Sequence, residues 1–73
     1  VQALSASGGV DLTAREAAVC RGILEGRTAE AIGLVLGIAA SSVVTFRRSL
    51  YRKLGIASQG ELFAMALRSR ARH

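Results

Sequence analysis

The chain has 73 residues, of which 51% are apolar, with no proline, a single cysteine and a formal net charge of +5. A chain of this length folds as one domain with a small core, and one cysteine excludes an internal disulfide and favours a reducing, cytoplasmic setting. No apolar run approaches the ~18 residues of a membrane span, and the positive charge indicates a polyanionic partner, either nucleic acid or an anionic membrane surface.

The chain opens with small and polar residues. Residues 1–11, VQALSASGGVD, have the composition of a linker or a disordered lead-in, and they lack the basic start and long apolar region of a signal peptide. A linker here indicates a separate upstream domain, and the alternative is a frayed terminus. The folded part is predicted over residues 12–68, followed by a basic tail over residues 69–73.

The first helix is predicted to begin after Thr13, because Thr13 and Glu16 have the spacing of a capping box. Glu16 is also a candidate for an ion pair with a cation of the third helix. Gly22 weakens this helix, and Gly26 is expected to end it in a left-handed conformation. The inward face is predicted to consist of Val19, Cys20 and Ile23. Cys20 is therefore interpreted as a core residue, with a redox sensor as the alternative.

The second helix is predicted to start after Thr28, which can cap it, and to stop at Gly37. Gly33 would allow another helix to approach closely. The apolar residues cover more surface than one buried face requires: Ile32, Leu34, Val35 and Leu36.

A third helix is predicted over residues 41–54, ending at Gly55. Tyr51 is expected to pack at its rim with the hydroxyl at the surface. A fourth helix opens with a second capping-box pair, Ser58 and Glu61, and its apolar residues spread widely enough for part of it to face a second subunit. Four helices and no sheet make this an all-α fold. The core stripe of the third helix is predicted as Val43, Phe46, Leu50 and Leu54.

Charge is segregated along the chain. Residues 31–60 contain no acid, and they hold four cations within seven positions, Arg47, Arg48, Arg52 and Lys53. Together with the tight turn at residues 36–38, this basic helix predicts a helix-turn-helix that binds DNA, because a helix fits the major groove and flanking cations hold phosphates. The alternative is that these cations only solvate an exposed helix face.

A longer series of residues, between position 12 and about position 68, follows a known pattern. These residues are Leu12-Thr13-Ala14-Arg15-Glu16, Val19, Gly26, Thr28, Ile32, Leu36-Gly37-Ile38, Val43, Tyr51-Arg52-Lys53-Leu54-Gly55-Ile56 and Glu61-Leu62. In order and spacing they resemble the LuxR-type DNA-binding domain, a family also named for its FixJ and NarL branches. The resemblance implies a compact four-helix domain, related to winged-helix domains but without a wing, at the C-terminus of a bacterial transcription regulator.

The resemblance also implies roles for individual residues. The third helix would enter the major groove, and Arg48 is the strongest candidate for base reading because Arg can pair with two acceptors on guanine. RNA polymerase is a further candidate partner, and no cofactor, metal or small-molecule ligand is implied. The implied base readers are Val44, Thr45 and Arg48. The implied backbone contacts are Thr28, Ser42, Arg47, Arg52 and Lys53. The implied homodimer contacts on the fourth helix are Leu62, Phe63 and Ala66.

Three residues depart from the family pattern. Ala39 stands where a capping Ser is common, which costs about 1 kcal/mol unless Ser41 or Ser42 substitutes. Val44 stands where a polar or charged residue often reads bases, and it could pack on a thymine methyl. Phe46 replaces a common His and is expected in the core. These departures affect the target sequence more than the function.

Two other functions stay open at this point. The helix-turn-helix is also similar to the promoter-reading domain of a bacterial sigma factor, which would associate with core RNA polymerase. A protein-interaction module would instead use Leu34, Val35 and the fourth helix. An enzyme is not expected, because the sequence offers no nucleophile with a base and no metal cluster, and His73 stands alone at the end of the chain.

Overall fold

The computed structural model describes residues 11–71, with side chains to residue 69. Four α-helices follow one another: α1 (Ala14–Leu24), α2 (Ala29–Leu36), α3 (Ala40–Leu54) and α4 (Gln59–Ala71). No strand occurs in this part of the chain, so the predicted all-α, four-helix fold is confirmed. The helix α4 extends into the predicted basic tail as far as Ala71, whereas the predicted lead-in, except for Asp11, and residues 72–73 lie outside the described residues.

Polar side chains fix where three of the helices begin. The Thr13 hydroxyl accepts a hydrogen bond from the Glu16 amide at 3.1 Å, and Glu16 Oε1 accepts one from the Thr13 amide at 2.9 Å, which completes the predicted capping box. The Thr28 hydroxyl caps α2 by accepting from the amide of Ala31 at 3.1 Å. Ser58 caps α4 in the same way, but Glu61 accepts from the Ala57 amide and not from Ser58.

The start of α3 has no such cap. Ala39 occupies the cap position with extended backbone angles (φ −70°, ψ 151°), and no side chain accepts a hydrogen bond from the first turn. Neither Ser41 nor Ser42 substitutes for it, and α3 begins at Ala40, one residue before the predicted start. Exposed amides at this helix start therefore depend on solvent or on a bound partner.

The core lies between α1 and α3, with α2 packed mainly against α3 and α4 contributing Leu62. The predicted inward face of α1 is buried, and Val43 and Leu50 of α3 are completely enclosed, while Phe46 and Leu54 pack half-buried at the edge. Burial also raises the pKa of the Cys20 thiol, which keeps it neutral as a small core residue. The buried apolar residues are Leu12, Ala17, Val19, Cys20, Ile23, Ile32, Val43, Leu50 and Leu62.

Two glycines allow α2 to sit close to its neighbours. A Cβ on Gly22 of α1 would lie 2.6 Å from Ile32 Cγ1, so the residue that weakens α1 also admits the main apolar anchor of α2. A Cβ on Gly33 would lie 2.6 Å from the carbonyl oxygen of Ile38. The amide nitrogen of Ala40, the first residue of α3, would lie 3.5 Å from the same Cβ, so Gly33 allows the turn and the start of α3 to approach α2 closely.

That turn sets the angle between α2 and α3. Gly37 ends α2 in a left-handed conformation (φ 71°), a region that favours glycine, and the axes of α2 and α3 are bent by 103° across the break. No single described helix is long and apolar enough to cross a membrane, and only α2 and α3 taken together reach that length and composition. The bend produces the two-helix geometry of a helix-turn-helix.

Candidate nucleic-acid interface

The helix α3 has an inner and an outer side, and the inner side is fixed by its apolar residues. Because Val43 and Leu50 are enclosed in the core, the residues on the opposite side of α3 face away from it. We call this opposite side the outer face of α3 and define it by Val44, Thr45, Arg48 and Arg52. Thr45, Arg48 and Arg52 are exposed and Val44 is half-buried, so all three predicted base readers lie together on this face.

Arg48 and Arg52 are available on the outer face. They lie one helical turn apart, at i and i+4, and neither forms an ion pair with any of residues 11–69. Arg47 is half-buried beside Tyr51. Burial raises the pKa of Tyr51, and the charge of Arg47 offsets only part of this rise. The outer face therefore has cations whose charge is not neutralised within the described part of the chain.

Thr45 differs from these cations because its hydroxyl has an internal partner. Thr45 Oγ1 donates a hydrogen bond to the carbonyl oxygen of Ser41 at 3.1 Å, one turn earlier in α3. The remaining predicted backbone contacts lie at the two helix starts. Ser42 is half-buried in the first turn of α3, and Thr28 is exposed at the start of α2, where backbone amides favour an anion.

Lys53, the fourth cation of α3, faces the other way. Its Nζ lies 2.7 Å from Glu16 Oε1 and 3.3 Å from the carbonyl oxygen of Asp11. The predicted ion pair between Glu16 and α3 is confirmed. Lys53 is thus engaged within the chain, and its proposed contact with a DNA phosphate remains a prediction.

Glu16 is the centre of a polar cluster between α1 and α3. The residue is only 3% exposed, and its carboxylate accepts hydrogen bonds from the Thr13 amide, the Ser49 hydroxyl and Lys53. Burial raises the pKa of Glu16, but these three hydrogen bonds outweigh it and hold the pKa at about 2. Glu16 is therefore ionised at neutral pH and ties α3 to α1. We call these four residues, Thr13, Glu16, Ser49 and Lys53, the Glu16 cluster.

A second contact ties α1 to α2, and sequence reasoning missed it. Arg15 Nη1 donates a hydrogen bond to the carbonyl oxygen of Leu36 at 3.1 Å. This carbonyl belongs to the last turn of α2, where free carbonyls and the helix dipole favour a cation. The two residues are 21 positions apart, and nothing in the spacing of the sequence indicates that they meet.

The predicted dimer residues on α4 do not share one environment. Leu62 is 1% exposed and packs in the core of its own chain, so it offers no surface to a second subunit. Phe63 is exposed and Ala66 is half-buried, while Leu67, which belongs to the same apolar series but not to the three implied dimer contacts, is exposed. A homodimer through α4 remains a prediction, and Phe63 and Leu67 are the apolar side chains that could form it.

Apolar surface also remains on α2. Leu34 is 84% and Val35 68% exposed, and Val35 borders a groove of about 170 Å³ between α1 and α2 that Gly22 and Ile32 also line. The exposed ion pair of Arg27 with Glu25, at 3.0 Å, lies at the rim of this groove. Among the described residues, no group of three His, Cys, Asp or Glu side chains could hold a metal ion.

Sequence comparison with known proteins indicates the same helix-turn-helix class as the geometry of α2 and α3. Residues 10–66 match the sequence profile of a family described as bacterial regulatory proteins, luxR family. The chain is similar to a protein of Aeromonas salmonicida named "Putative HTH-type transcriptional regulator in exeN 3'region", with 42% identity over 66 residues. That match covers 90% of this chain and 34% of the relative, so the chain spans about a third of the relative's length. No solved structure matches significantly. The family profile covers most of the chain, including all four cations of α3, and the chain belongs to the LuxR family of bacterial regulatory proteins.

Proposed function

We propose that this chain binds double-stranded DNA in a sequence-specific manner, with α3 in the major groove, as the C-terminal output domain of a bacterial transcription regulator. Domains of this family bind DNA, and the family is a class of regulators and not of enzymes. The observation that carries the proposal is the outer face of α3. It presents Arg48 and Arg52 without an ion pair among the described residues, on a helix whose start has no side-chain cap.

The proposed contacts divide by type. Arg48 reads a base edge, and Arg guanidinium groups pair well with the two acceptors of guanine. Arg47 and Arg52 hold phosphates, together with Ser42 and the capped start of α2 at Thr28. These contacts release counterions, so the affinity should fall steeply as the salt concentration rises.

The wider assembly follows from the same role. A homodimer through α4 would place two α3 helices on half-sites about one DNA turn apart. The upstream part of the regulator would receive the signal, for example as the receiver of a response regulator, and RNA polymerase is a further candidate partner. Such a regulator acts on the chromosome in the bacterial cytoplasm.

Arg48 tests this proposal directly. Selection of bound duplexes from a random pool should first yield a consensus site. Against that site, Arg48→Ala should weaken binding by about 5- to 150-fold, because one bidentate base contact contributes about 1–3 kcal/mol of discrimination, and it should relax the preference at one base pair. Arg21→Ala, which removes an exposed cation from α1, is the matched control. A pool in which no sequence is enriched, or an Arg48→Ala variant with unchanged affinity and preference, would contradict the proposal.

One observation favours a second candidate function. The exposure of Leu34 and Val35 is what a protein-interaction module requires, since exposed apolar patches mark interaction sites. Absence of duplex binding at low salt, where phosphate contacts are strongest, would favour this candidate. Tight association with core RNA polymerase in place of homodimerisation would instead favour a sigma-factor-like domain.

A further inference from the structure

The first turns of α3 present methyl groups on the outer face where polar base readers are common. Thr45 is exposed, and its hydroxyl donates to the carbonyl oxygen of Ser41 at 3.1 Å. Because the substituents of Cβ are arranged tetrahedrally, turning Oγ1 toward the backbone leaves the methyl group on the side away from it. Val44, the neighbouring residue, has only methyl groups to offer. These two residues therefore present no free hydrogen-bond donor.

The major groove has one apolar feature that matches such a surface. Among the four bases only thymine carries a methyl group there, at C5, while the other edges offer donors and acceptors. We infer that Val44 and Thr45 form an apolar reader that selects thymine through its C5 methyl group, within about two base pairs of the base pair read by Arg48. The inference rests on the proposed function, because it concerns which bases the same face selects.

The geometry of α3 also limits where the thymine lies. Val44 and Arg48 are at i and i+4 on one side of the helix, which separates their Cα atoms by about 6 Å along its axis. Base pairs are stacked about 3.4 Å apart, so the two readers reach positions on the order of two base pairs apart. The preferred half-site should therefore contain a thymine within about two base pairs of a guanine.

The C5 methyl group can be removed without changing any hydrogen-bonding group of the base. In the selected site, each thymine of the half-site is replaced in turn by deoxyuridine, and the affinity of the full chain is measured. At one or two positions the wild-type chain should lose about fourfold in affinity, the factor that corresponds to one buried methylene-sized group. At the remaining thymines the affinity should not change.

Two substitutions at Thr45 separate its methyl group from its hydroxyl. Thr45→Val keeps a methyl group and removes the hydroxyl, so it should keep the preference for thymine over deoxyuridine. Thr45→Ser keeps the hydroxyl and removes the methyl, so at the position that Thr45 reads the preference should disappear. Thr13→Ser, the same change at the cap of α1 and outside the proposed DNA contacts, is the matched control and should leave the preference intact. Circular dichroism checks that each variant is folded.

The outcomes separate this inference from the proposed function. A wild-type chain that selects no DNA overturns the proposed function, and the inference with it. A chain that binds its site but has equal affinity for thymine and deoxyuridine at every position overturns the inference alone. Loss of preference in Thr45→Val with retention in Thr45→Ser also overturns it, because the preference would then depend on the hydroxyl and not on the methyl group of Thr45.

Discussion

Both sides of α3 carry cations, but only the cation on the inner side forms an ion pair within the described part of the chain. On the inner side, Lys53 is bound to Glu16 at 2.7 Å, and the buried carboxylate accepts hydrogen bonds from three donors. On the outer face, Arg52, the residue before it, is exposed without an ion pair in the described part of the chain. Adjacent cations in a basic run thus have different uses, because successive residues of a helix point about 100° apart. Positive charge on a helix indicates a binding surface only after the internal partners have been identified.

Removal of the Glu16 charge should have the largest effect on the inner side. Glu16→Gln keeps the size of the side chain but weakens its bonds with Lys53 and Ser49. We expect the free energy of unfolding to fall by about 3 kcal/mol, because the pKa of about 2 lies well below the ordinary value of 4.5 and each pKa unit corresponds to about 1.4 kcal/mol. Denaturant unfolding measures the change. Glu30→Gln, an exposed acid on α2, should change stability by less than about 1 kcal/mol. Equal effects of the two variants would contradict the central role of the Glu16 cluster.

Acid should remove the same stabilisation without a mutation. The folded-state pKa of Glu16 is depressed, so its contribution is fully present above about pH 4.5 and is lost as the pH falls toward 2. The free energy of unfolding should therefore decrease by up to about 3 kcal/mol across this window. The measurement is a series of denaturant titrations between pH 7 and pH 2. The free energy of unfolding of the Glu16→Gln variant should change much less with pH in this range. An equal pH dependence in both proteins would assign the acid sensitivity to other carboxylates.

Substitutions at Lys53 and Arg52 test whether the two sides of α3 differ in function. Lys53→Met should lower the free energy of unfolding by about 1 kcal/mol, a value kept small because the Lys53 side chain is about a third exposed and solvent screens the pair. Arg52→Met should leave stability within about 0.5 kcal/mol but lower the salt dependence of DNA binding by about one ion. Thermal or denaturant unfolding and salt titration of binding provide both readouts. The reverse pattern would show that the two faces have been assigned wrongly.

A new cap on α3 should give the smallest effect, and a stabilising one. Ala39 has the backbone angles of a cap residue but no side chain to accept a hydrogen bond. Ala39→Ser should raise the free energy of unfolding by about 1 kcal/mol. Ala40→Ser, one residue further and inside the helix, should not stabilise the domain. A gain at residue 40 but none at residue 39 would contradict the absence of a cap at Ala39.

Much of the fold could be predicted because its signals are local. The caps at Thr13, Thr28 and Ser58 and the stops at Gly37 and Gly55 are short-range patterns, and each lies where it was expected. The apolar stripe of α3 follows the helical period, so its inner side could also be identified. The family followed from these motifs in order, and the profile match confirms it.

Apart from the ion pair of Glu16 with a cation of α3, contacts between distant residues could not be predicted in the same way. The spacing of Arg15 and Leu36 carries no signal, since their contact depends on how α1 packs against the end of α2. Gly33 was correctly identified as a site of close approach, but the spacing did not show that its nearest neighbour is the carbonyl oxygen of Ile38 in the turn before α3. Leu62 belongs to an apolar series on α4, and only packing shows that it lies in the core while Phe63 and Leu67 are exposed.

The sequence by itself therefore determined the four helices, most of their ends, the core stripe of α3 and the family, because capping, helical period and turn chemistry act over a few residues. The tertiary structure decided how the cations of α3 are divided. Glu16 comes from a helix more than thirty residues earlier, and its buried carboxylate engages Lys53 in an ion pair. Arg48 and Arg52 remain on the outer face because no described acid reaches them there. A buried carboxylate needs a partner, and the packing of α1 on α3 selects which cation provides it.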